Sequence, residues 1–279
     1  MKNTLNREML KDFAVYLSEE ERSEATIEKY MRDLRCFFEF VGKEEISRRL
    51  VLEYKNSLCA RYAVASANSM LAALNCYFRF CNRQDLCVKQ LKMQRQTYCP
   101  EEKELSRAEY IRLLNAARAK HNERLYLIIE TICGTGIRVS ELQYITVEAL
   151  QRGEATVYCK GKNRRVFIVS KLKSKLLHWA KRQKIVSGAI FLTRRGNPVS
   201  RNNVWREMKS LCEEAGVPKS KVFPHNLRHL FARTFWGIEK DIAKLADILG
   251  HASINTTRIY IVTTGTEHRR KMEHMRLVM

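Results

Sequence analysis

Four side chains near the C-terminus have the types and spacing needed to handle a phosphate group. His225 and Arg228 lie three residues apart just after Pro224, which suits the first turn of a helix, so both should project from one helix face. His251 follows Leu-Gly, and Tyr260 lies nine residues beyond it. Imidazole, guanidinium and phenol groups bind anions, transfer protons and act as nucleophiles. The stretch therefore indicates phosphate chemistry.

Each of these groups is predicted to lie on or beside a short helix. The first helix follows Pro224 and repeats large apolar residues at helical spacing. The second runs from 241 to 249 and ends at Gly250, a residue that commonly terminates helices in the left-handed conformation. Capping side chains such as Ser253 begin a third helix that carries Tyr260. The polar groups are thus presented by anchored elements.

The stretch resembles the C-terminal signature of the tyrosine site-specific recombinases, the integrase family. In that family a His-x-x-Arg box is followed by Leu-Gly-His and, nine residues after that histidine, by the nucleophilic tyrosine. His225, Arg228, His251 and Tyr260 occupy those places. The segment 136–142, Gly-Ile-Arg-Val-Ser-Glu-Leu, is similar to the first arginine box of the family.

The similarity to the first arginine box implies that Arg138 binds the scissile phosphate together with Arg228, and that Glu141 supports Arg138. A planar guanidinium suits the task because it can hold two oxygens and stays charged. Taken without the resemblance, Arg138 and Glu141 would be an ordinary surface pair three residues apart on a helix.

A change to a period of two from 155 to 169 predicts a β-hairpin with a basic tip that contains Gly161. In the family, a lysine of this hairpin protonates the leaving oxygen. The position before Gly161 favours Lys160, and Lys162 is the alternative because the hairpin register is not determined by the sequence.

The first part of the chain is predicted to be all-helical. Four amphipathic segments with short connections can bury one another up to about residue 90. The phrase Thr-Ile-Glu-Lys-Tyr at 26–30, with the apolar residues after it, resembles the core-binding domain of the same recombinases. Seven basic residues lie on outward helix faces: Lys29, Arg32, Arg35, Lys55, Arg61, Arg79 and Arg83.

The predicted fold is mainly α with a small β-sheet, an α+β architecture in two domains. Residues 1–88 form the helical core-binding domain, 89–103 a linker and 104–262 the mixed catalytic domain. Within the latter we predict a helix that begins with a capping box of Ser106 and Glu109, a buried helix over 125–133, a helix that opens at Arg138 and a third strand over 189–193. Residues 263–279 resemble the family's C-terminal helix that contacts a neighbouring protomer; a frayed basic tail is the alternative.

Composition indicates a polyanionic partner. Lys and Arg number 51 against 30 acidic residues, a net charge of +21, and the basic residues lie within structured, aromatic-containing segments, which favours nucleic acid. Neither a membrane span nor a signal peptide is visible, so a soluble cytoplasmic protein is expected. The nine cysteines contain no Cys-x-x-Cys pair and the seven histidines no metal-ligand spacing, which predicts neither metal nor cofactor.

The resemblance implies an enzyme that cuts and rejoins double-stranded DNA without ATP or metal. Tyr260 would form a 3′-phosphotyrosine bond while Lys160 protonates the departing 5′-hydroxyl, and His225 would accept the tyrosine proton. Exchange of two strand pairs implies a tetramer on DNA, and the reaction would pass through a Holliday junction. The sequence does not determine whether accessory DNA-bending proteins take part. With no additional N-terminal domain visible, the chain is more similar to compact Xer or transposon integrases than to lambda-type ones.

Three other classes of protein share some of these features. A type IB topoisomerase uses the same catalytic groups to relax supercoils, but the core-binding helices argue against it. A catalytically silent DNA-binding relative would lack one of the groups. A helix-turn-helix regulator would explain the charge but not the six ordered residues.

Overall fold

The computed structural model describes residues 9–93, 101–159, 162–261, 269 and 272–275. The chain divides into two compact units, residues 1–95 and 96–279. In the described part of the chain, no helix is long and apolar enough to cross a membrane.

Residues 9–93 of the first unit form a bundle of four α-helices held by an aromatic core. Phe37 meets Tyr54 and Phe78 edge-to-face, with ring centroids 5.0 and 5.9 Å apart. Phe13 meets Tyr77 in the same geometry at 5.3 Å. Such pairs stabilise the core beyond the apolar area that they bury. The helices are α1 (Met9–Glu19), α2 (Glu24–Val41), α3 (Arg48–Arg61) and α4 (Val64–Phe80).

Two asparagines of α4 attach the chain that follows the bundle. Asn75 exchanges two hydrogen bonds with the backbone of Val88, at 2.8 and 2.9 Å, and Asn68 does the same with Leu91, at 2.9 and 2.7 Å. A side-chain amide used in this way satisfies one backbone donor and one acceptor, as a strand partner would. The first residues of the predicted linker, 89–103, are therefore held against α4.

The second unit is built around one buried helix. Its elements are α5 (Arg107–Ala119), α6 (Glu123–Thr135), α7 (Val147–Arg152), β1 (Glu154–Cys159), β2 (Lys162–Phe167), α8 (Ser170–Arg182), α9 (Arg201–Lys209), α10 (Cys212–Ala215), α11 (Pro224–Ile238), α12 (Ile242–Leu249) and α13 (Ile254–Ile261). The predicted buried helix is α6, whose Leu125, Ile129 and Ile132 are fully buried. The predicted capping box of α5 is present, with Ser106 and Glu109 each accepting from the other's backbone N–H.

The predicted hairpin is present as an antiparallel pair of strands, β1 and β2. Cys159 pairs with Lys162 in the last described pair of the ladder, and residues 160 and 161 lie outside the described part of the chain. Val157 and Val166 are buried on the core face. This alternation reflects the two-residue period of a strand with one face against the core.

Two local predictions differ from the structure. The prediction of a third strand over 189–193 is wrong, because this segment makes two isolated bridges, Ala189 to Thr146 and Leu192 to Pro198, and no continuous strand. Pairing cannot extend because α7 begins one residue after Thr146 and because Pro198 has no N–H to donate. The helix expected to open at Arg138 is a 3₁₀-helix, Val139–Tyr144.

Candidate active site

The first part of the site is the turn that ends α6. Gly136 adopts φ +67°, and a Cβ atom there would lie 2.5 Å from the ring of Phe231. Only glycine meets both requirements. The chain then presents Arg138, whose guanidinium Nη1 lies 2.9 Å from Oε1 of Glu141, while the other carboxylate oxygen accepts from the Arg138 backbone N–H at 2.7 Å. Glu141 thus fixes Arg138 as the resemblance implied.

Arg228 is the most deeply buried charged side chain among the described residues, with 1% exposure. Projecting from the first turns of α11, it donates to the carbonyl of Gly136, to the carbonyl of Leu249 at 2.7 Å, and to Nε2 of His251 at 3.0 Å. Its Nε is buried and has no hydrogen-bond partner in the described part of the chain. Burial, together with the charge of Arg138, lowers the pKa of Arg228 to about 10.

His251 is held in one tautomer by its two neighbours. Arg228 can only donate, so Nε2 of His251 accepts, and the proton lies on Nδ1, which is 2.8 Å from Oγ1 of Thr257. Burial and the charge of Arg228 lower the pKa of His251 to about 4. The imidazole is therefore neutral at physiological pH.

Tyr260 lies in this same pocket, only 5% exposed, on α13. Its hydroxyl is 3.4 Å from Nε2 of His225, and its ring stacks on His251 with centroids 5.3 Å apart. Desolvation of the ring and the charge of Arg228 lower the pKa of His225, which leaves a neutral base beside the phenol. The phenol thus lies in the pocket formed by residues of its own chain.

Five of the six predicted residues lie in the described part of the chain, and those five form one cluster. They are Arg138, His225, Arg228, His251 and Tyr260. Lys160 lies outside the described residues, and only the backbone of Lys162 is described. The choice between the two lysines stays a prediction, as does a helix over 263–279, most of which is also outside the described residues.

Two site residues were not predicted. His229 contacts the ring of Tyr260 with centroids 4.2 Å apart and that of His225 at 4.8 Å. It lies one helical turn after His225, so the same spacing argument would have found it. Arg164 lies on the core face of β2 in register with Val157 and donates to Glu141 at 2.5 Å. Arg164 and the buried Val166 are two residues apart on one strand, so they face the same side of the sheet. This spacing could have predicted that Arg164 faces the core.

Chemically, the pocket combines a phenol, neutral imidazoles and a surplus of fixed positive charge. Arg138, Arg164 and Arg228 oppose the single carboxylate of Glu141, which leaves two net positive charges beside the phenol. An arrangement of this kind is chemically suited to bind a phosphodiester and to stabilise the additional negative charge of its transition state. Among the described residues, no cluster of three or more His, Cys, Asp or Glu could hold a metal ion. A helical unit followed by a mixed unit with this pocket defines the tyrosine recombinase class.

The chain belongs to the phage integrase family. The model of the Phage integrase family matches residues 103–266, and that of the Phage integrase, N-terminal SAM-like domain matches residues 10–85. The tyrosine recombinase XerA of Pyrococcus furiosus is 32% identical over 283 residues, which cover 99% of this chain and 96% of the relative.

Solved structures agree with this assignment. The crystal structure of XerA recombinase is similar with a TM-score of 0.55 and 27% identity, covering 98% of this chain and 99% of that chain. A lambda integrase tetramer bound to a Holliday junction shares the fold with a TM-score of 0.72 and 19% identity, covering 93% of this chain and 78% of that chain. The predicted family, the mainly helical fold with a small sheet, and the assignment as a tyrosine recombinase enzyme are thereby confirmed.

Proposed function

We propose that this chain recombines double-stranded DNA at a specific site through a covalent bond between Tyr260 and a 3′-phosphate. The observation that carries the proposal is the position of the Tyr260 hydroxyl, 3.4 Å from His225 Nε2 and in one pocket with Arg228 and His251. A phenol ordinarily titrates near pH ~10, so it needs a neighbouring base and local positive charge to attack at neutral pH.

In the first step, the phenolic oxygen attacks phosphorus and the P–O bond to the 5′-oxygen breaks. His225 accepts the phenolic proton in its neutral form, which burial favours by lowering the pKa of the ring, and its Nε2 lies 3.4 Å from the hydroxyl. Arg138 and Arg228 stabilise the equatorial oxygens. Lys160, by family resemblance, delivers a proton to the 5′-oxygen. The reverse step, with the 5′-hydroxyl of another strand, rejoins DNA with no external energy source.

Duplex DNA is the proposed partner. The net charge of +21 supplies the long-range attraction, and Arg32, Arg35, Arg61 and Arg79 are exposed on the helical unit, where they can contact phosphates. Four nucleophiles are needed to exchange two pairs of strands, so we propose a tetramer on DNA. The lambda integrase tetramer on a Holliday junction, which has the same fold, supports this assembly.

The test is covalent capture on DNA. Duplexes retained by Tyr260→Phe are first selected from a randomised pool, because this variant should bind DNA without cutting it. Nicked versions of the selected duplex then trap the cleaved strand on the protein. Wild type and Tyr62→Phe, a change at an exposed tyrosine of the helical unit, should form the adduct, and Tyr260→Phe should not.

Two results would redirect the assignment. Tight binding by wild type without any adduct would indicate a DNA-binding relative without catalysis. Relaxation of a supercoiled plasmid that carries two copies of the selected site, with no exchanged product, would indicate a type IB topoisomerase activity.

A further inference from the structure

The buried carboxylate of Glu141 is shared by two guanidinium groups from distant parts of the chain. Its side chain is 3% exposed. Oε1 accepts from Arg138 Nη1 at 2.9 Å, and Oε2 accepts from Arg164 Nη2 at 2.5 Å. Arg138 follows α6, whereas Arg164 comes from β2 of the hairpin. A buried carboxylate with two cationic partners leaves one positive charge uncompensated.

This charge balance matters because Arg138 also has to face a phosphate. If Glu141 had Arg138 as its only partner, the pair would be neutral and the carboxylate would compete with the phosphate for the same guanidinium. The Arg164 side chain is 11% exposed and its guanidinium lies 2.5 Å from Oε2 of Glu141, so its charge balances that of the carboxylate. Its field also reaches the pocket, since the charge of Arg164 contributes to the lowered pKa values of Arg228 and His251.

The second arm of Arg164 holds the segment that leads to His251. Its Nη1 donates to the carbonyl of Ile248 at 2.9 Å, and the next carbonyl, that of Leu249, accepts from Arg228 at 2.7 Å. Both are terminal carbonyls of α12, where a helix attracts cations. A Cβ atom on Gly250 would lie 2.4 Å from Cδ of Arg164, so the packing of this arginine explains the glycine before His251.

We propose that Arg164 is a positioning residue: it neutralises Glu141, so that Arg138 keeps its positive charge for the phosphate, and it fixes the end of α12 before His251. This inference rests on the proposed function, because the benefit appears only when the site binds a phosphodiester. It assigns to the hairpin strand a role that is separate from that of the predicted lysine at the hairpin tip.

The experiment compares Arg164→Met with Arg165→Met. Arg165 is the next residue of the same strand, but its side chain points away from the core, is 70% exposed and lies 3.9 Å from Glu154. Adduct formation on the selected nicked duplex is measured in single turnover with saturating protein, so that weaker DNA binding does not affect the rate. We expect Arg164→Met to be slower than Arg165→Met by about tenfold to a hundredfold.

The double variant Glu141→Gln/Arg164→Met separates charge balance from simple packing. Removing the carboxylate charge should free Arg138, so the double variant should form adduct about tenfold faster than Arg164→Met alone. Rates are compared at a temperature at which thermal unfolding shows every variant to be folded. A residue that only packs would show no such recovery, because glutamine has nearly the shape of glutamate.

The outcomes are distinct. An Arg164→Met rate within about threefold of Arg165→Met, or a double variant no faster than Arg164→Met, would overturn the inference while leaving the recombinase function intact. Absence of the adduct in wild type would instead refute the proposed function.

Discussion

Replacing Arg228 with methionine should abolish most DNA cleavage and yet leave the folding stability nearly unchanged. This combination is unusual for a residue with 1% exposure, since breaking buried interactions normally destabilises a protein. The expectation follows from two opposing contributions to the free energy of unfolding, both of which can be estimated from the contacts of the guanidinium.

The unfavourable contribution is the burial of the charge. Burial, and then the charge of Arg138, lowers the pKa of Arg228 from its ordinary range to about 10. At about 1.4 kcal/mol for each pKa unit, the charged form costs the folded state about 3 kcal/mol. The favourable contribution is hydrogen bonding to the buried carbonyls of Gly136 and Leu249. Leaving either buried carbonyl without a donor would cost about 1–3 kcal/mol. The two nearly cancel.

We therefore expect Arg228→Met to change the free energy of unfolding in urea by less than about 2 kcal/mol. Adduct formation should fall by about a hundredfold to a thousandfold, because the transition-state charge loses a buried donor. The matched control is Arg233→Met on the same helix, which removes a partly exposed ion pair with Glu104 and should preserve cleavage. A loss of more than about 4 kcal/mol would contradict the cancellation, and normal cleavage by Arg228→Met would contradict the role in catalysis.

Two further predictions concern the surroundings of the pocket. Gly250 and Gly216 both have positive φ, +65° and +57°, so backbone strain should cost each alanine variant about 1 kcal/mol of stability. Only at Gly250 would a Cβ atom clash, so Gly250→Ala should lose more stability than Gly216→Ala and should also slow adduct formation. Equal rates for the two variants would contradict the clash with Arg164. Burial lowers the pKa of His229 to about 4, below the unfolded value of about 6.5, so the unfolded state binds more protons between these pH values. Stability should therefore fall as the pH drops from 6.5 to 4. The measurement is the urea midpoint of unfolding as a function of pH, and His229→Phe should reduce the slope of this dependence. An unchanged slope would show that His229 does not titrate in this way.

Local patterns in the sequence predicted the helices and most of the residues that the structure brings together in the candidate site. The apolar period predicted α6 as a buried helix, and the pairing of Ser106 with Glu109 predicted the start of α5. These features depend on residues within one or two helical turns, so they can be predicted from the sequence without knowledge of the tertiary structure. The four groups after Pro224 were identifiable for the same reason, since their spacing alone predicts a shared helix face or helix end.

Contacts between residues far apart in the chain were decided only by the tertiary structure. Arg228 donates to Gly136, 92 residues away, and Arg164 shares Glu141, 23 residues away. The failed third strand has the same origin, because whether 189–193 pairs depends on where its neighbours become helical. The lowered pKa values of Arg228, His229 and His251 depend on burial by several elements at once. A linear sequence specifies which groups are present, but their charges are set by the solvent and the neighbours that folding removes or supplies.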